Sequence, residues 1–278
     1  MTKIDEVERH LFFEGIYLKY GYDFRQYAEA SLDRRLAGLL GDYQASSLLD
    51  LLKRALREPE EFRKILGSLT INTSEFFRDP TFFKVLRESV FPVLKTYSKV
   101  TIWSAGCSTG EEVLSLAIAL KEEGLDRRAT IHATDINPFV LKSAKTGIFE
   151  ASCIPTFNKN YAAAGGTGTP SQYYGAEYGL VRFNPDLLEN VVFSEHNLAT
   201  DAAFLEAHLI LCRNVFIYFS RELQERALEL FARSLVHKGF LALGSKETLR
   251  FSSLAPNFQA VSPGENVFSL LSRSEPKP

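Results

Sequence analysis

The decapeptide WSAGCSTGEE (103–112) joins a short β-rich run directly to a helical one through Gly106 and Gly110. A strand that turns on glycine and enters a helix at once places backbone N–H groups and a helix N-terminus at the carboxyl end of a sheet. Open α/β sheets bind ligands there. The turn is not GxGxxG, and it lacks the lysine of a phosphate-binding loop. Glu111 and Glu112 fall in the first helical turn, where they repel a pyrophosphate and suit a ligand bearing an amino group or another cation. The same two carboxylates complement the helix dipole, an effect of about 0.3–1 kcal/mol each. Gly106 to Gly110 also matches G-x-S-x-G, which would make Ser108 a hydrolase nucleophile. That fold needs strands before its elbow, whereas the upstream residues read as helices, and Asp201 and His237 are the only later partners on offer.

The rest of the chain divides around this turn. Residues 1–95 read as helices throughout: Leu32, Leu36, Leu39 and Leu40 recur at helical spacing, as do Leu48, Leu49, Leu52, Ala55 and Leu56, then Phe62, Ile65, Leu66 and Leu69. From residue 99 short β-rich runs alternate with helical ones: VTIWSA (100–105), GEEVLSLAIALKEEG, ATIHATD (129–135) and PFVLKSAKTG. Such alternation predicts βαβ units and a parallel sheet. Residues 150–190 interrupt it with AAAGGTGTPSQYYGAEYG, LVRF and NPDLL, a turn-rich insertion with short strands. Then follow NVVFSEHN (190–197), HLILCRNVFIYF (208–219), a helix over RELQERALELFARSLVHKG and a strand over FLALGS (240–245). Two short runs flanking Ser262, Pro263 and Gly264 predict a closing antiparallel hairpin. The expected organisation is a helical unit over 1–95 and an α/β unit over 96–278 that carries the insertion.

The 278 residues hold 32 Lys+Arg against 34 Asp+Glu, a balance that argues against nucleic acid as a partner, because phosphate binding rests on clustered cations. Three cysteines at wide spacing and five histidines suggest neither a disulfide framework nor a metal site. No run approaches the length of a membrane span, and the start MTKIDEVERH is charged, so the expectation is a cytoplasmic protein without direct membrane insertion.

Asp135 closes the second β-run, where an acidic residue is placed to accept both hydroxyls of a ribose. It also reads as a helix cap or a strand-end turn. A ligand with a ribose, a cationic head and no phosphates fits S-adenosylmethionine.

Six stretches in order, TINTSEFFRDP (70–80), WSAGCSTGEEVLSLAIAL (103–120), ATDINPFVLKSAKTGIF (133–149), HNL (196–198), LCRNVFIYF (211–219) and LALGSKETL (241–249), resemble the chemotaxis receptor methyltransferases, the CheR-type protein-glutamate O-methyltransferases. The resemblance covers nearly the whole chain. It implies an α/β, Rossmann-like seven-stranded methyltransferase sheet with an N-terminal helical domain and a small inserted β-subdomain. It implies methyl transfer from S-adenosylmethionine to glutamate carboxylates on the cytoplasmic helices of methyl-accepting receptors, leaving S-adenosylhomocysteine. By matching positions, Asn72, Ser74 and Arg78 would close over the methionine part, Glu111 would hold its amino end, Asp135 the ribose, and Asn197 with Leu198 the adenine. Gly106 belongs to the same turn, and Arg213 and Asn214 would lie below the sulfonium. Tyr218 is the residue placed to orient the methyl group or meet the substrate, and it equally reads as core. Arg34 and Arg35, read as lying off the leucine face, would dock an acidic helix; residues 1–98 balance 15 Lys+Arg with 15 Asp+Glu, so a mixed-charge surface is the plain alternative. A scaffold that binds the cofactor without turnover is the competing reading. The chain departs from many relatives at Leu114, His208 and Lys246, none of them an inferred cofactor contact.

Overall fold

The computed structural model describes residues 4–70 and 74–272. Helices α1 (Glu6–Tyr20), α2 (Glu29–Asp42), α3 (Leu48–Arg57) and α4 (Pro59–Leu69) come first. Side chains set the starts of two of them: Asp5 accepts from the N–H groups of Val7 and Glu8, and Ser47 from that of Asp50. Their shared core holds Phe12, Ile16, Leu36, Leu51, Phe62 and Leu66. On α3 the inward face is Leu48, Leu51 and Ala55, while Leu49 and Leu56 face solvent; the expected stripe was wider than one helix can bury.

Residues 74–79 leave the helical register, so the expectation of helices throughout 1–95 fails over this segment. Phe77 and Asp79 take positive φ angles of 48° and 54°, conformations a helix excludes. Then follow α5 (Pro80–Val85), a π-turn over Leu86–Val90 and α6 (Phe91–Leu94). Their Phe82, Phe83, Leu86, Phe91 and Leu94 join the core beneath the sheet.

The alternating region runs β1 (Val100–Ala105), α7 (Glu111–Glu122), β2 (Ala129–Asp135), α8 (Pro138–Ala144), β3 (Ile148–Glu150), α9 (Ile154–Ala163), β4 (Tyr174–Glu177), β5 (Leu180–Phe183), β6 (Val191–Glu195), β7 (Ala207–Cys212), α10 (Arg221–Ser234), β8 (Leu235–Leu243), β9 (Phe258–Ala260) and β10 (Val267–Leu270). Seven strands form one sheet in the order β6-β2-β1-β7-β8-β10-β9. The first five are parallel, and the closing hairpin β9–β10 is antiparallel, as its turn residues predict. Strands β3, β5 and β4 make a second, small sheet. The insertion also contains α9, which its turn-rich composition hid. Phe76 binds the small sheet to the main body by stacking on Phe183 with ring centroids 4.7 Å apart.

Two boundaries move. The helix expected to reach Gly239 ends at Ser234, and the strand expected from Phe240 begins at Leu235. The pairing with β7 slips between Leu235 and Phe240, with Lys238 at φ 59°, a bulge that lets one strand span the His237–Gly239 irregularity. His208 faces the β1 backbone, where its Nδ1 accepts from the Thr101 N–H at 3.1 Å.

Candidate active site

The carboxyl ends of β1, β2 and β7 border a cleft of about 940 Å³, its open mouth included. Its floor starts at Gly106, whose φ of +77° and nearness to Val215 exclude a side chain: an added Cβ would lie 2.5 Å from Val215 Cγ2. The N–H groups of Gly106 and Cys107 donate to Thr134 O at 2.8 and 2.9 Å, tying the turn to β2. One residue on, Ser108 donates its N–H to Asp135 Oδ2 at 2.9 Å, and Asn137 donates to Asp135 Oδ1 at 2.9 Å. Asp135 is 8% exposed. Burial pushes its carboxyl above the ordinary aspartate range, against the pull of these backbone donors.

Arg213 and Asn214 form the turn after β7. Asn214 has φ 61°, and the buried Glu247 carboxylate holds the turn by accepting from the N–H groups of Asn214 at 3.0 Å and Ile217 at 3.4 Å, as well as that of Gly244. The Arg213 side chain, 1% exposed, pairs with Asp79 at 2.8 Å and Glu112 at 3.1 Å, and lies over the Phe82 ring. It thereby fastens the 74–79 segment across the sheet edge.

The helical unit closes a further wall. Tyr27 pairs with Phe219 in an isolated antiparallel bridge, and Ala28 N–H donates to Tyr218 O at 2.8 Å. Asn137 Nδ2 donates to Thr70 Oγ1 at 3.0 Å. Tyr27, Arg35, Thr70 and Tyr218 all face the cleft.

Of the residues expected at the site, the cleft gathers Ser74, Arg78, Gly106, Asp135, Asn197, Leu198, Arg213, Asn214 and Tyr218. Asn72 lies outside the described residues. Glu111 lines an adjoining hollow that shares Ser74 and Arg78 with the cleft, accepts from Thr109 Oγ1 at 2.6 Å, and is raised in pKa by burial. Glu112, to which the sequence assigned no cofactor contact, lines the cleft itself. Arg34 is exposed on α2, whereas Arg35 corrects the expectation of a surface pair: it is 9% exposed and turned inward. Its place follows from helical geometry, because position 35 is three residues after Leu32 and four before Leu39 and so shares their face. His196, Tyr27 and Glu247 escaped the sequence reading. Glu247, inside the LGSKET stretch, and His196, inside HNL, carried a signal; Tyr27 did not.

Ser108 Oγ is buried without a hydrogen-bond partner, Asp201 accepts from the Asn197 N–H at 2.9 Å, and His237 is exposed. No base attends the serine, and the hydrolase reading fails. What the cleft does offer is a caged carboxylate and several buried polar atoms without a partner. Arg35 Nε, Ser108 Oγ, His196 Nδ1 and Arg213 Nε are all buried and unpartnered there. Among the described residues no cluster of His, Cys, Asp or Glu has the makings of a metal site, and no helix is long and apolar enough to cross a membrane.

A mostly parallel α/β sheet closed by an antiparallel hairpin, with a cleft at its carboxyl edge, is a Rossmann-like α/β fold, and in this chain it is that of a methyltransferase dependent on S-adenosylmethionine. Residues 72–263 match the family described as CheR methyltransferase, SAM binding domain, and residues 8–70 the CheR methyltransferase, all-alpha domain. The chain belongs to the CheR methyltransferase family. Its relatives include a Pseudomonas putida protein provisionally named methyltransferase Cher3, 46% identical over 95% of this chain and 96% of its own length. Chemotaxis protein methyltransferases of Salmonella typhimurium (33% identical, 86% of this chain and 80% of that one) and Listeria innocua (30%, 82% and 85%) are also similar.

Proposed function

We propose that this enzyme transfers the methyl group of S-adenosylmethionine to glutamate side chains on the cytoplasmic helices of methyl-accepting chemotaxis receptors, forming methyl esters that serve chemosensory adaptation in the cytoplasm. The observation that carries the cofactor side is Asp135, caged by two backbone N–H groups at the cleft edge with its acceptor capacity only partly used. The relatives named as chemotaxis protein methyltransferases supply the receptor side.

In this reading Asp135 accepts from the ribose hydroxyls, Asn197 and Leu198 border the adenine, and Ser74, Arg78 and Glu111 hold the methionine end, with Asn72 added by family resemblance. Arg213 and Asn214 shape the floor beneath the sulfonium. When bound, the cofactor supplies an activated methyl group: a carbon–oxygen bond forms to the acceptor carboxylate as the carbon–sulfur bond breaks and its electron pair passes to sulfur. No proton moves, so no general base is needed. A glutamate side chain has a reference pKa of about 4.3 and is already ionised at neutral pH. The protein's contribution is alignment, which supplies roughly 7–11 kcal/mol in favourable intramolecular cases. Tyr218 and the neighbouring Tyr27 and Phe219 exclude water at that point. Arg34, exposed on α2, is placed to meet an acidic helix.

The test is to incubate the enzyme with methyl-labelled cofactor and receptor-containing membranes of the same cell, then to map the modified residues by mass spectrometry. Esters on glutamates support the reading. Modification of lysine, aspartate or nucleic acid contradicts the substrate assignment, and cofactor binding without any transfer favours the scaffold.

A further inference from the structure

The four unpartnered polar atoms of the cleft are not chemically alike. The Nε groups of Arg35 and Arg213 only donate, and the Ser108 hydroxyl turns to donate or accept. His196 differs, because its other nitrogen assigns its tautomer. Nε2 lies 3.2 Å from Ala202 O. A carbonyl only accepts, so Nε2 of the neutral ring carries the proton and Nδ1 is a bare acceptor. The ring is held in that pose by two aromatic walls: Trp103 meets it edge to face with centroids 5.1 Å apart, and Phe204 lies at 5.0 Å. Trp103 is itself fixed, its Nε1–H donating to Thr134 Oγ1 at 2.9 Å. His196 is 8% exposed, and a buried acceptor left without a donor is costly.

A cofactor of this class brings donors at three places only: the ammonium of its amino acid, the two ribose hydroxyls and the 6-amino group of adenine. In the proposed function Glu111 and its neighbours take the first and Asp135 the second, so the 6-amino group is the donor left over. His196 stands next to where the base would lie. Its backbone N–H donates to Asp135 O at 3.2 Å, and it immediately precedes Asn197 and Leu198, the residues assigned to the adenine. The Asn197 side-chain oxygen is already engaged, accepting from the Ala199 N–H at 2.9 Å.

We propose that His196 Nδ1 accepts from the 6-amino group of the base and makes the cleft selective for a 6-aminopurine nucleoside. The inference rests on the cofactor placement above and adds to it the residue that reads the base. A 6-oxopurine would set a carbonyl oxygen against the Nδ1 lone pair. A purine with hydrogen at that position would leave Nδ1 buried and empty. Sites built to hydrogen-bond a ligand group reject analogues that lack it for this reason.

The experiment is calorimetric titration of the full chain with S-adenosylhomocysteine, with S-inosylhomocysteine, and with the purine analogue that carries hydrogen in place of the amino group. The wild type should bind S-adenosylhomocysteine about tenfold more tightly than the hydrogen analogue, and the 6-oxo twin more weakly still. His196→Gln places an amide nitrogen where Nε2 was, so it keeps the bond to Ala202 and loses the acceptor. It should bind S-adenosylhomocysteine about tenfold more weakly and no longer distinguish it from the hydrogen analogue. His196→Asn places an oxygen where Nδ1 was and gives up Ala202; it should keep most of the preference. A histidine that only braces the turn to Ala202 predicts the reverse order, with the glutamine variant close to wild type and the asparagine variant impaired. That order, equal wild-type affinity for the amino and hydrogen compounds, or a preference that survives His196→Gln overturns the inference, and the wild-type comparison needs no variant to fold. A folded wild type that binds none of the three overturns it together with the cofactor placement. An enzyme that shows the preference yet leaves no ester on receptors supports it and refutes the receptor assignment alone.

Discussion

Burial of Asp135 favours the neutral form of its carboxyl over the charged one. Its pKa is raised by burial, so its contribution to stability is present below the unfolded value, about 3.9, and is lost as pH rises through the folded value. In the proposed function the ionised form, which burial disfavours, is the one that accepts the ribose hydroxyls. S-adenosylhomocysteine affinity should therefore fall on acidification, beginning above the pH at which an ordinary aspartate titrates. Asp135→Asn should bind at least tenfold more weakly and lose that pH dependence; calorimetric titrations at several pH values check both. Gly106→Ala should destabilise by about 1–3 kcal/mol through overpacking and backbone strain and weaken binding, as read by melting and titration. Asp135 and Gly106 were legible because strand, glycine turn and strand-end acid keep fixed chain spacings. Arg35 was legible in principle, since its spacing to Leu32 and Leu39 sets its face, but charge argued for the surface and masked the geometry. The resemblance singled out Glu111, and that Glu112 lines the cleft beside it was not legible: one residue is about 100° of helix, and only packing fixes the rotation.

At the scale of elements, the 74–79 segment is held by a latch rather than by its own propensity. Phe77 N–H donates to Ser115 Oγ at 2.8 Å, and Arg213 spans from the end of β7 to Asp79 and to Glu112 on α7. Arg213→Met strands two carboxylates, both partly exposed, and should cost about 2–3 kcal/mol, below the roughly 3–5 kcal/mol of a fully buried broken pair. Chemical denaturation measures it, and cofactor affinity should fall with it because Ser74 and Arg78 lie on the released segment. The pairing of positions 79, 112 and 213 is invisible to any local pattern. The same holds for the bulge in β8: LVHKG continues a helical run in composition, and only the ladder with β7 pulls it into a strand.

Across the whole molecule, balanced charge means that the acidic receptor helix of the proposed function would not be drawn in by the field of the protein at large. Local cations must do it. Arg34→Glu should reduce methyl transfer to receptors several-fold, more at low ionic strength than at high, while S-adenosylhomocysteine binding stays unchanged; rates across a salt series check this. The α/β class, the strand alternation and the closing hairpin were legible because period and turn chemistry encode them. The contact of the helical unit with the cleft through Tyr27, Arg35 and Thr70 was not, since it depends on how two separately patterned units meet. In the proposed function the cleft makes carboxyl methyl esters. The most direct measurement is alkali-released methanol from receptor membranes after incubation with methyl-labelled cofactor, wild type against Asp135→Asn. Volatile, base-labile label that depends on Asp135 is the expected outcome; base-stable label, or none from an enzyme that binds S-adenosylhomocysteine, would mean that the cleft makes no such ester.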